Sequence, residues 1–199
     1  MRLLYAPASP FARKVRIVAG LKGLAGRIAI VQTDAGAQPA ELVAANPLGK
    51  IPALILDDGV ALFDSFVISD YLDGLVAEPR LIPAQGRARS EVLRLAALAD
   101  GIVEAALLVV YEERYRGPGQ RSEDWVRRQQ DKVERGLAAL TAAHAQWPQE
   151  PDYGQVAVAA ALGYLDLRQG GRWRALHTGL AAWLTNFAAR VPDYDATSA

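Results

Sequence analysis

The stretch with the most chemical content is Asn46-Pro47-Leu48-Gly49-Lys50-Ile51-Pro52-Ala53-Leu54, followed about a dozen residues later by Asp64-Ser65. Asn-Pro and Leu-Gly are turn signals, so the chain arrives here from a loop. The Ala-Leu-Ile-Leu run behind Pro52 reads as a buried strand that stops at Asp57-Asp58-Gly59. A proline at the first position of a strand cannot donate to the sheet, and X–Pro is the only common place for a cis bond. A cis Ile51–Pro52 peptide would turn the Ile51 N–H and C=O away from the sheet. There they could pair with a peptide laid alongside in an extended conformation. Any proline that opens a strand carries the same local pattern, so this segment alone leaves both readings open.

Other chemistries are excluded more simply. The chain has no cysteine, which rules out disulfides, thiolate–metal sites and a protein thiol nucleophile. His144 and His177 are far apart and lack HExxH-like company, so they read as helix residues rather than ligands. Gly49-Lys50 resembles the end of a phosphate loop. However, Ala44 stands where the first glycine is needed, and Ile51 replaces the Ser/Thr. No GxGxxG follows a strand. With 22 Lys and Arg against 22 Asp and Glu, and arginines interspersed with acids, nothing favours a nucleic-acid partner. Met1–Tyr5 runs directly into turn residues, too short for a signal peptide, and no 18-residue apolar run suggests a membrane span. A protein that is soluble, cytoplasmic and without a membrane partner is expected.

The elements that must position these residues fall into two parts. Arg2–Tyr5 is a short strand. Ser9-Pro10 then supplies an N-cap and an N1 proline for a helix whose Phe11, Val15, Val18 and Leu21 recur at helical spacing up to Gly23. Ile28–Gln32 is a second strand, parallel to the first because a helix intervenes. Residues 39–44 form a short helix, and 53–56 with 60–63 a hairpin. Residues 65–76 form a helix with Ile68, Tyr71, Leu72 and Leu75 on one face. The order is βαβα–ββα, a small mixed sheet with helices packed on it. Residues 78–85 read as a linker, and strand signals vanish after it.

Residues 86–116 form a long helical stretch, and Ser122 opens another that runs to about Gln146. Asp152 and Gln155 fit a capping box before an almost wholly apolar run, 156–167, that should be central and buried. Residues 176–189 read as the last helix, and the tail from Pro192 as polar and loose. The expected fold class is thus α/β plus all-α, with residues 1–77 and 86–199 as its two domains.

This arrangement resembles the cytosolic glutathione transferases, specifically the bacterial branch with a serine at the active site. The resemblance covers essentially the whole chain. It is carried by Ser9-Pro10-Phe11-Ala12-Arg13-Lys14, by Asn46-Pro47-Leu48-Gly49-Lys50-Ile51-Pro52, by Phe63-Asp64-Ser65 and by the helix capped at Asp152 and Gln155. It implies a thioredoxin-like first domain that holds glutathione, and a helical second domain that shapes the pocket for an electrophile. It also implies a homodimer, a detoxifying role and no metal cofactor. Serine and alanine stand where redox relatives carry Cys-Pro-x-Cys, so dithiol chemistry is impossible on this chain. Gln155 departs from the aspartate usual in the family's capping box.

The resemblance gives each residue a role. Glutathione's γ-glutamyl end is a free amino acid. The Asp64 carboxylate would take its ammonium, and the Ser65 hydroxyl and N–H its carboxylate. The alternative is that Asp64 merely caps the following helix. Ile51 would pair its backbone with the cysteinyl residue across the cis bond of Pro52. Lys50 would reach the glycyl carboxylate, unless it is an ordinary solvated lysine, and Phe11 joins the glutathione contacts. Ser9 would be the catalytic residue, its hydroxyl donating to the thiolate at a helix N-terminus; otherwise it is only an N-cap. Tyr111, Glu112, Arg114 and Tyr115 are candidates for the second-substrate pocket or simply a packed surface. The expected activity is conjugation of glutathione to a small apolar electrophile. Its rivals are a non-catalytic binding or regulatory member of the fold, and a glutathione-dependent isomerase or dehalogenase.

Overall fold

In the computed structural model, which describes residues 1–199, the sheet that receives the Pro52 strand has the order β2-β1-β3-β4. Strand β1 (Arg2–Tyr5) pairs in parallel with β2 (Ala29–Gln32) and antiparallel with β3 (Ala53–Ile55), which pairs antiparallel with β4 (Ala61–Leu62). The parallel pair is joined by α1 (Pro10–Leu21), as a parallel crossover requires. Leu3 and Leu4 point to opposite faces of β1 and both are buried, so the sheet is covered on both sides. Helix α2 (Ala40–Ala45) closes the Leu4 face, where Leu42 and Ala45 meet Leu4 and Ala53. Helices α1 and α3 (Ser65–Leu75) pack against each other.

The linker-like segment is anchored rather than loose. The Leu81 and Ile82 side chains are buried, and their N–H groups donate to the two oxygens of the Asp73 carboxylate, at 2.9 and 3.0 Å. Asp73 also meets the buried Lys22 ammonium at 2.9 Å, and Lys22 donates to the Pro79 carbonyl at 2.6 Å. A buried ion pair is tolerable when its remaining hydrogen-bonding capacity is filled in this way.

The expectation of a loose tail is corrected. Pro192–Ala196 forms a short helix that belongs with the first compact unit, Met1–Arg89 plus Val191–Ala199. Val191, Tyr194 and Thr197, three residues apart, are buried. Arg13 donates to the Tyr194 carbonyl at 2.8 Å and stacks over its ring at 4.1 Å, while Arg16 donates to the Thr197 carbonyl at 3.2 Å. The Asp193 carboxylate occupies the space where a β-carbon on Gly20 would lie.

The second unit, Ser90–Arg190, is all-helical. It holds most of α4 (Gly86–Tyr115), then α5 (Glu123–Ala143), α6 (Tyr153–Gln169), α7 (Trp173–Leu176) and α8 (Thr178–Arg190). The helix expected over residues 176–189 is α8, and the short α7, which the sequence reading does not include, precedes it and ends before His177. Helix α6 is buried from Tyr153 to Leu165. It lies so close to α4 that a β-carbon on Gly154 would come within 2.9 Å of the Val92 carbonyl oxygen. The capping box forms only by half. Asp152 accepts from the Gln155 N–H at 2.8 Å, but the Gln155 amide donates to the Pro148 and Glu150 carbonyls instead of reaching back. No helix is long and apolar enough to cross a membrane.

Candidate functional site

The sheet register gathers the candidate residues of the first unit at one end. Leu4 pairs with Ala53, so Pro52 and Ile51 continue alongside Tyr5 and the turn that leads to Ser9. Leu54 pairs with Leu62, so the same end of the sheet receives Phe63, Asp64 and Ser65 as β4 finishes. Both α1 and α3 begin there. Two helix N-termini, each carrying a partial positive charge, thus lie at the end of the sheet where Ile51 precedes β3.

Ser9 has extended backbone angles, and its Oγ accepts from the Ala12 N–H at 3.2 Å, as an N-cap does. That bond uses an oxygen lone pair. A hydroxyl has one proton and two lone pairs, so the Ser9 O–H remains available to donate elsewhere. Phe11, half-buried one residue into α1, has the Lys14 ammonium 5.9 Å from its ring centroid.

The loop before β3 is held from within. Buried Asn46 donates from Nδ2 to the Lys50 carbonyl at 2.8 Å and accepts at Oδ1 from the Leu48 N–H at 3.0 Å. Gln38, left-handed at φ 47°, donates from Nε2 to the Gly49 carbonyl at 3.0 Å. Gly49 is itself left-handed at φ 61°, a conformation that glycine adopts without penalty. The result is an exposed Lys50 with no acidic partner, and an Ile51 whose side chain packs on the Leu4–Leu42 core. The Ile51 N–H and C=O are engaged by no other group of the chain, and the Ile51–Pro52 peptide is cis.

Asp64 caps α3 through one oxygen only, its Oδ1 accepting from the Phe66 N–H at 3.0 Å and from the Val67 N–H at 3.4 Å. Oδ2 stays open on an exposed side chain. Ser65 follows, buried, with its carbonyl accepting from the Ser69 hydroxyl at 2.7 Å. The cap and ligand readings weighed for Asp64 and Ser9 are thus compatible, because each cap uses part of the group's capacity.

Residues 8–75 match the family profile described as glutathione S-transferase, N-terminal domain, and residues 123–186 the one described as glutathione S-transferase, C-terminal domain. The chain belongs to the glutathione S-transferase family. Among its relatives is an uncharacterized GST-like protein, YibF, of Escherichia coli K12, 34% identical over 173 residues, which are 85% of this chain and 84% of the relative. A glutathione transferase family member from Pseudomonas fluorescens Pf-5, solved with bound glutathione, is 45% identical with a TM-score of 0.94 over 99% of this chain and 98% of that one. A glutathione S-transferase from Methylobacillus flagellatus KT, solved with glutathione bound, is 37% identical with a TM-score of 0.88 over 99% and 98%. The N-terminal match spans Ser9, Phe11, Lys50, Ile51, Pro52, Asp64 and Ser65 of this family member.

Sequence reasoning missed Gln38, whose side chain braces the loop and whose left-handed backbone has no local signal. It also missed the hold of Arg13 and Arg16 on the chain's end. The periodic burial of Val191, Tyr194 and Thr197 is visible in the sequence once a helix is assumed there.

Proposed function

We propose that this family member is a serine-type glutathione S-transferase that binds glutathione in its first unit and activates its thiol for conjugation to a small apolar electrophile. The observation that carries this reading is the Ser9 cap, which spends a lone pair and leaves the hydroxyl proton to donate to a thiolate at the start of α1. Asp64 Oδ2 takes the ammonium of the γ-glutamyl group, and the Ser65 N–H and hydroxyl take its carboxylate. The Ile51 N–H and C=O pair with the cysteinyl residue as one more strand would. Lys50 reaches the glycyl carboxylate, and Phe11 lines the site.

A free thiol with a pKa of about 8.5 is only a few per cent ionised at neutral pH. The α1 dipole and the Ser9 hydroxyl favour the thiolate and so increase that fraction. The thiolate sulfur then attacks the electrophilic carbon. A C–S bond forms, and the leaving group departs with the electron pair of the bond it breaks.

The helical domain supplies the electrophile's surroundings, the assembly is a two-fold homodimer, and the setting is cytoplasmic detoxification. The bound-glutathione relatives support the first substrate, and the family match supports the transferase class. Calorimetry with glutathione and a conjugation assay with a chlorodinitrobenzene test the reading together. Saturable binding with turnover supports it, binding without turnover favours a non-catalytic member, and no binding overturns it. Sedimentation should give twice the 21.4 kDa chain mass; a monomer across micromolar concentrations would contradict the dimer.

A further inference from the structure

Asn46 engages its N–H, its carbonyl and both arms of its side-chain amide in the loop that leads to Ile51. The N–H donates to the Leu42 carbonyl at 2.7 Å, which ties the residue to the end of α2 and to the Leu4–Leu42 core. The carbonyl accepts from the Gly49 N–H at 2.8 Å and closes a turn over Pro47 and Leu48. On the side chain, Oδ1 accepts from the Leu48 N–H at 3.0 Å and Nδ2 donates to the Lys50 carbonyl at 2.8 Å. Asn46 is only 3% exposed. Both side-chain partners are backbone groups of fixed polarity, one a donor and one an acceptor, and an amide satisfies both at once. An aspartate carboxylate has no donor to offer the Lys50 carbonyl.

The bond to Lys50 has a consequence one residue further on. A trans peptide is planar, with its C=O and N–H pointing in opposite directions. The Lys50–Ile51 peptide is trans, and its carbonyl is held by a buried amide, so the Ile51 N–H faces away from Asn46. That N–H has no acceptor within the chain, so the Asn46 bond is the one hydrogen bond on this peptide. Without it, the peptide plane can turn about the Lys50 ψ and Ile51 φ bonds. Gln38 acts in the same sense one peptide earlier, holding the Gly49 carbonyl at 3.0 Å.

We propose that Asn46 is a positioning residue: it fixes the Lys50–Ile51 peptide plane so that the Ile51 N–H meets the amide carbonyl of the cysteinyl residue of glutathione. This rests on the glutathione reading above and specifies how that site recognises a peptide backbone rather than a γ-glutamyl group alone. Asn46 itself touches no ligand. Asp64 and Ser65 take the γ-glutamyl end, and the N–H that Asn46 aims takes the carbonyl in the middle.

Calorimetry with two ligands tests this: glutathione, and its analogue with a trans-alkene in place of the Cys–Gly amide. The alkene keeps the planar shape, the thiol and both ends of the ligand, but has no carbonyl to accept. Wild type should bind glutathione about fivefold or more tighter than the alkene. Asn46→Ser keeps an acceptor for the Leu48 N–H but is too short to reach the Lys50 carbonyl. In this variant glutathione should weaken to about the affinity of the alkene, while the alkene stays within about twofold of its wild-type affinity. A loop that had merely loosened would weaken both ligands alike and keep their ratio. The titration of the bound thiol at saturating glutathione should not move, because the Asn46 bonds do not involve Ser9. Circular dichroism checks folding, and Asn46→Asp, which keeps the acceptor and loses the donor, serves if Asn46→Ser does not fold. Equal wild-type affinity for the two ligands, or a glutathione preference that survives in the variants, overturns this proposal and leaves glutathione binding standing. A wild-type chain that binds no glutathione at millimolar concentration overturns both.

Discussion

The Gln38 side-chain amide fills the space in which a β-carbon on Gly49 would lie. The two residues face each other across the loop that presents Lys50 and Ile51, and both are left-handed. Alanine at position 49 would meet this obstruction in a conformation that already costs an L-residue about 1–2 kcal/mol. Gly49→Ala should therefore lower stability by at least that amount in urea unfolding, with a parallel loss of glutathione affinity. Gln38→Ala removes the bond to the Gly49 carbonyl and should cost about 1 kcal/mol.

Asp64 offers a clean separation of cap from charge. Asparagine caps a helix as well as aspartate does, whereas alanine loses about 1 kcal/mol. Asp64→Asn should keep the urea midpoint but weaken glutathione binding by roughly tenfold or more, the worth of a charge-assisted bond. Asp64→Ala should lose both. Equal glutathione affinity in wild type and Asp64→Asn would remove the ammonium role.

The chain's end should matter to the first unit. Tyr194 is 7% exposed and stacked under Arg13, so Tyr194→Ala should cost roughly 3 kcal/mol, in the range for large buried side chains. Differential scanning calorimetry of this variant, or of a chain ending at Arg190, should show a lower Tm. An unchanged Tm would restore the loose tail.

Two carboxylates give stability opposite dependences on pH. Burial raises the Asp152 pKa above the ordinary 3.8, outweighing the Gln155 and Gly154 N–H bonds. Its folded form holds a proton more readily than the unfolded chain does, so its contribution falls as pH rises from about the unfolded value through the raised one. Asp152→Asn keeps the cap without that charge, and its advantage over wild type should grow as pH rises through this range. Glu112 is lowered from 4.5, chiefly by the Ser122 N–H and then by Arg116. Its contribution is full above the unfolded value and is lost as pH falls through the folded one, and Glu112→Gln should abolish that acid-side loss. Urea midpoints from neutral to acid pH measure both.

Much of this fold was legible because local signals and burial agreed. Ser9-Pro10 starts α1, Asp64 starts α3, and the apolar run after Gln155 is the buried centre of the second unit. What failed depended on tertiary partners. Pro192 at the first position of a helix is a start signal, yet Pro-Asp-Tyr-Asp looked polar because its buried face is one tyrosine held by Arg13. Gln155 fits a capping box by type, but its amide finds nearer carbonyls in the preceding loop. The candidate residues were identifiable as types at a spacing. Their meeting at one end of the sheet needed the β1–β3–β4 register, which only the folded chain displays.

The central claim is that the Ser9 hydroxyl donates to the glutathione thiolate, and the most direct measurement is thiolate ultraviolet absorbance against pH for wild type and Ser9→Ala. Glutathione binding should survive the substitution, because the proposed contacts of Asp64, Ser65 and the Ile51 backbone with the ligand do not involve Ser9. Loss of a charge-assisted bond of roughly 1.5–3 kcal/mol should raise the bound thiol's pKa by about one to two units. Conjugation at neutral pH should then fall by roughly ten- to a hundredfold and recover in part as pH rises. A titration curve that does not move on Ser9→Ala would leave Ser9 as a helix cap alone and contradict the account.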